Sequence, residues 1–121
     1  MRSFLITAAL IAMAATSVGC GEDTRSCQSA CSRAFKSSEC GIPVPGEESG
    51  SLIKDCIREC ETALRLTGEL GNYDPDDRNS VDRSTRYQLQ NEKQSAVWMD
   101  CVMETSCEAL EDGYCPGGGI N

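Results

Sequence analysis

The sequence predicts a small all-α domain held by disulfides: an antiparallel helical hairpin plus a third, long helix. Three observations predict it. Cysteines recur as two Cys-x-x-x-Cys pairs, Cys27/Cys31 and Cys56/Cys60. Apolar residues around each pair recur at helical spacing. The apolar inventory is otherwise thin. Past residue 19 the aromatics are Phe35, Tyr73, Tyr87, Trp98 and Tyr114, too few for burial alone to stabilise a domain of about a hundred residues. Disulfides, each contributing about 2–4 kcal/mol, then have to supply much of the stability, and folding needs an oxidising compartment.

The compartment is read from the amino terminus. Met1, Arg2 and Ser3 form a short positive region, and Phe4 to Ala15 (FLITAALIAMAA) is an apolar run. Residues 1–19 thus read as a secretory signal peptide, too short to span a membrane. Ser17-Val18-Gly19-Cys20 resembles a bacterial lipobox, with Ser17 where Leu is usual. The resemblance implies cleavage before Cys20 and lipidation of that cysteine. Ser17-x-Gly19 also satisfies the small-x-small rule of ordinary signal peptidase. Cysteine parity separates the two: nine is odd for an exported chain, and acylating Cys20 leaves eight for disulfides. Covalent lipid contributes about 0.8 kcal/mol per buried CH₂, enough to anchor the domain. The expected location is the bacterial cell envelope. The outer membrane is favoured because Gly21 stands where Asp would be a retention signal. Residues 20–26 form a short tether, at most about 20 Å long.

The disulfide-rich domain spans 27–115. In the first helix Cys27, Ala30, Cys31, Ala34 and Phe35 share a face, and Gly41 closes the run. Gly41 to Gly50 (GIPVPGEESG) is the loop to the second helix, Ser51 to Leu66. There Ser49 or Ser51 is the expected cap, Gly68 the stop, and Ile53, Ile57 and Leu64 the core stripe. Residues four apart lie one turn apart on one face. Two antiparallel helices with such pairs therefore bring Cys27 opposite Cys60 and Cys31 opposite Cys56. This resembles the twin Cys-x-x-x-Cys hairpin of the α-hairpinins and of the coiled-coil-helix proteins, a likeness of fold and not of function.

Leu70 to Ser80 (LGNYDPDDRNS) reads as a polar connection. Its Asp74, Asp76 and Asp77 do not fit a calcium loop: counted from Asp74, Arg78, Asn79 and Thr85 fall where a ligand, the glycine and the closing Glu belong. The third helix is expected from Asp82 or Ser84 to Asp112, with Thr85 and Gln88 as capping box and Gly113 as stop. Its first half, Tyr87 to Ser95, is polar and offers a partner-facing surface; in its second half Trp98, Val102, Thr105 and Ala109 form a packing stripe. Cys101 and Cys107 are six apart and point to different sides. The favoured pairs are Cys40 with Cys101 and Cys107 with Cys115, the alternative being Cys40 with Cys107 or Cys115. The tail 116–121 (PGGGIN) is expected to be flexible.

Composition excludes several chemistries. There is no histidine, which removes Ser-His-Asp and Cys-His catalysis and histidine-ligated zinc. No phosphate-binding loop and no Cys-x-x-Cys motif is present. Two all-cysteine zinc sites are possible by number, but the spacings are irregular and export favours oxidation. After signal removal ten basic residues face 19 acidic ones, a net charge of −9, which disfavours nucleic acid and anionic headgroups. No catalytic residue, metal or cofactor is expected, and the chain reads as not an enzyme. Trp98-x-x-Cys101 followed by Cys107 and Cys115 resembles the short cysteine-rich lipoproteins of uncharacterised function in bacteria with large genomes. That likeness implies an envelope-anchored module attached to the membrane through Cys20, structural or meeting another envelope protein. The competing readings are a secreted, unlipidated effector or toxin-like domain, and a thiol-redox protein with a reactive cysteine.

Overall fold

The computed structural model describes residues 26–120; the expected signal peptide and Cys20 lie outside the described residues. Four helices follow one another: α1 (Cys27–Phe35), α2 (Ser49–Leu64), α3 (Glu92–Glu104) and α4 (Cys107–Glu111). No strand is present among the described residues, and the all-α, disulfide-stapled architecture is the one observed.

Helix α1 starts where Ser26 and Ser29 cap each other. The Ser29 N–H donates to Ser26 Oγ at 3.0 Å and the Ser26 N–H donates to Ser29 Oγ at 2.9 Å. It ends at Phe35, well before Gly41, and buries Cys27, Ala30, Cys31, Ala34 and Phe35 along one face. In α2 the buried face is Leu52, Cys56, Cys60 and Ala63, so the stripe expected from Ile53, Ile57 and Leu64 is displaced by one residue. The cysteines decide this. Once Cys56 and Cys60 are bonded to α1 their face must point inward, leaving Ile53 and Ile57 at its edge and Leu64 exposed. Neither Ser49 nor Ser51 caps α2; Glu48 is the N-cap residue and makes no side-chain cap bond.

The third helix is shorter than expected and broken. Residues 86–91 are not helical: Tyr87, Leu89 and Asn91 turn inward while Arg86, Gln88 and Gln90 face out, the period-two alternation of extended chain. Asp82 competes with the Thr85 cap, its carboxylate accepting the Ser84 N–H at 2.8 Å and the Ser84 hydroxyl at 2.7 Å. Helix α3 begins at Asn91 instead, whose Oδ1 accepts the Lys93 and Gln94 N–H groups, both at 3.1 Å. Its own Nδ2 donates to Glu69 O at 2.8 Å, tying the cap to the start of the α2–α3 connection. After Glu104 the chain kinks at Thr105 and Ser106, and Ser106 caps α4 by accepting the Ala109 N–H. Arg33 of α1 fills the carbonyl end of α3, donating to Val102 O at 2.8 Å and Thr105 O at 2.7 Å.

Helix α2 runs antiparallel to α1 and α3. Going forward from Cys27 to Cys31 goes backward from Cys60 to Cys56. Likewise the Glu92 N–H donates to Leu66 O, and Ser95 Oγ donates to Cys60 O. The core between the three helices is completed by the chain's last residues. Pro116 to Gly118 and Ile120 are buried, which corrects the expectation of a flexible tail.

Candidate functional site

The cysteines form the densest chemical cluster, and all eight among the described residues are bonded in pairs. Cys27–Cys60 and Cys31–Cys56 are the two rungs of the α1–α2 ladder, with Cα atoms 5.6 and 5.8 Å apart. The other two pairs are Cys40–Cys107 and Cys101–Cys115, not the favoured Cys40–Cys101 and Cys107–Cys115. The break at Thr105 explains the correction. It swings α4 back toward the α1–α2 loop, bringing the Cys107 and Cys40 Cα atoms to 5.0 Å. Cys101 stays on the face of α3 turned toward Pro75 and the tail. The Cys40–Cys107 bond is half-buried, whereas both sulfurs of Cys101–Cys115 are buried beside the Thr105 hydroxyl.

The tail makes a second cluster around Trp98, which is fully buried. Trp98 Nε1 donates to Cys115 O at 3.0 Å, and Tyr73 Oη donates to Pro116 O at 2.6 Å. The Cys115 N–H donates to Pro75 O at 3.0 Å. The Gly118 N–H donates to Glu59, whose carboxylate also accepts the Leu89 N–H at 3.2 Å. Gly117 and Ile120 close the turn with mutual backbone bonds at 3.0 Å. Sequence reading missed Glu59 and Tyr73. The signal for Glu59 was weak: it is a carboxylate on the helix face next to Cys56 and Cys60, and its partners are backbone groups far along the chain. Burial pushes the Tyr73 phenol well above its ordinary range, the nearby Tyr87, Glu59, Asp74 and Asp76 adding to the effect.

The segment Tyr87 to Ser95, expected as a helical partner surface, is largely internal wiring. Tyr87 stacks on Tyr73 with ring centroids 5.1 Å apart, and its hydroxyl donates to Gln94 Oε1 at 2.7 Å. Burial raises the Tyr87 pKa. Leu89, Asn91, Gln94 and Ser95 are buried. What remains outward is Arg86, Gln88, Gln90, Glu92 and Lys93. An open groove of about 720 Å³ runs beside Arg86, Gln88 and Gln90, lined also by Leu66, Glu69 and Leu70.

The acidic loop is engaged locally. Asp74 Oδ1 accepts the Asp76 N–H at 3.0 Å, Asp77 Oδ1 accepts the Asn79 N–H at 2.9 Å, and Arg78 pairs with Asp112 at 2.6 Å. No cluster of three or more metal-ligating side chains occurs among the described residues, and none of their helices is long and apolar enough to cross a membrane. The side chains brought together here bond, cap and pack. They define a small all-α domain cross-linked by four disulfides. No family model, curated protein or solved structure matches the chain.

Proposed function

We propose that the protein is an envelope-anchored lipoprotein whose helical domain acts as a structural or protein-binding module, without catalysis. The observation that carries this reading is the cysteine count. Eight of the nine cysteines are bonded to one another within the domain, so Cys20 is left for other chemistry. In Ser17-Val18-Gly19-Cys20 that chemistry is acylation after signal cleavage. The complete disulfide complement suits an extracytoplasmic compartment. The lack of histidine and the use of the polar core groups in capping and tail-holding favour a module that binds rather than reacts. Its partner would be another envelope protein, met through the outward side chains Arg86, Gln88 and Gln90.

The test is the intact mass of the native protein, purified from its own membranes without reductant. The expected mass is that of residues 20–121 plus acyl chains, less the eight hydrogens of four disulfides. An unacylated mass with a titratable thiol at Cys20 overturns the reading. It would leave the second one, a secreted effector or toxin-like domain, favoured by the compact cross-linked core.

A further inference from the structure

We propose that the end of the domain carrying Leu64 and Leu66 seats against the lipid bilayer, so that the module stands on the membrane in one orientation. This rests on the lipidation of Cys20 proposed above.

Because α1 and α2 are antiparallel, the point where the chain enters the domain, Ser26, lies at the carboxyl end of α2. The Cα atoms of Cys27 and Cys60 are 5.6 Å apart. Leu64 follows Cys60 by one helical turn, about 6 Å further along the axis, and Leu66 comes two residues later. These two are the exposed large hydrophobic side chains of the described residues, 39% and 50% accessible. They therefore sit at the end from which the tether leaves. From Cys20 to Ser26 the chain reaches at most about 20 Å even when fully extended. An acylated Cys20 thus keeps this end within reach of the headgroups. The other end, with α4 and Cys40–Cys107, lies roughly 24 Å away along the 16 residues of α2.

Charge is compatible with an apolar seat. Around the leucines Arg65 and Lys93 alternate with Glu61, Glu69 and Glu92, and Lys93 is paired with Glu69 at 2.6 Å. The acidic balance of the chain offers anionic lipid no attraction, so insertion is driven by the leucines. A shallow apolar contact of this kind reaches about 5–10 Å into the headgroup–acyl boundary. Leu66 is also held in place, since its carbonyl accepts the Glu92 N–H at 2.8 Å.

The experiment places a reporter at each end of the acylated, full-domain protein. Leu66→Trp and Leu64→Trp report on the proposed seat, and Glu111→Trp on exposed α4 reports on the far end; the buried Trp98 gives the background to subtract. Each variant is purified from membranes, its acyl chains verified by mass. It is then reconstituted in phosphatidylethanolamine–phosphatidylglycerol vesicles with and without lipid brominated near the ester end of its chains. The expected result is a blue-shifted emission that bromolipid quenches for tryptophan at 66 and 64, and none of this at 111. An acylated protein whose residue-66 emission is quenched by aqueous acrylamide and not by bromolipid overturns the inference and leaves the lipoprotein reading intact. A blue shift without bromolipid quenching also overturns it, because a second copy then covers the leucines. Absence of acyl chains in the mass overturns the lipoprotein reading, and the seat falls with it.

Discussion

The buried tail makes a sharp prediction at Gly118. Gly118 and Gly71 share the same positive φ, +62°, so alanine at either position incurs the same left-handed backbone cost of about 1–2 kcal/mol. Their surroundings differ. A Cβ at Gly71 meets nothing within 4 Å. A Cβ at Gly118 falls on the Trp98 ring, with Cη2 at 2.8 Å, and comes within 3.0 Å of Cys56 Sγ. Neither obstacle is the end of a flexible chain: the indole is fixed by its bond to Cys115 O, and the sulfur by its disulfide to Cys31. Overpacking of a rigid site costs roughly 1–3 kcal/mol in addition. Gly118→Ala should therefore lose about 2–5 kcal/mol and Gly71→Ala about 1–2. The assay is guanidinium unfolding with disulfides intact, followed by Trp98 fluorescence. The midpoint of Gly118→Ala should fall about half a molar below that of Gly71→Ala. Equal midpoints for the two variants would refute the packing of the tail against Trp98.

Other expectations follow from single contacts. Arg33→Met removes both donors to Val102 O and Thr105 O, leaving the half-buried end of α3 uncapped, and should lower stability by about 2–3 kcal/mol in the same unfolding assay. Glu59→Met removes the one oxygen, Oε2, that accepts both the Leu89 and the Gly118 N–H groups; a loss of about 1–3 kcal/mol is expected, together with faster amide exchange at Gly118. Digestion after glutamate separates Cys101, Cys107 and Cys115 onto different peptides, cutting at Glu104, Glu108 and Glu111. Mass spectrometry should then find the Cys107 peptide joined to that of Cys40, and Cys101 joined to Cys115. For pH, Tyr73 is raised in the folded state by burial. Its contribution is fully present below the unfolded tyrosine value of 10.0 and is lost as pH rises above it, because only the unfolded chain then ionises. Stability should fall by up to about 1.4 kcal/mol per pH unit above that point, and Tyr73→Phe should flatten the decline.

Local chemistry was legible wherever neighbours in sequence decide the outcome. The Cys27/Cys31 and Cys56/Cys60 spacings carried the antiparallel hairpin and its two rungs, because a four-residue repeat on a helix has one direction. Trp98 and Val102 were recognisable as core by the same periodicity. The extended run from Tyr87 to Asn91 was also readable in principle, as alternation, but its polar residues masked the inward side chains.

The sequence by itself determined a helical hairpin with two cysteine rungs, a domain cross-linked by disulfides, and a chain without histidine chemistry. Only the tertiary structure decided which of Cys40, Cys101, Cys107 and Cys115 meet, since a two-residue kink at Thr105 and Ser106 re-aims α4. It alone also turned Pro116 to Ile120 from an apparent glycine tail into the last layer of the core. Glycine's freedom reads as disorder along the chain, whereas beside Trp98, Leu89 and Phe35 its missing side chain is what lets the backbone fit.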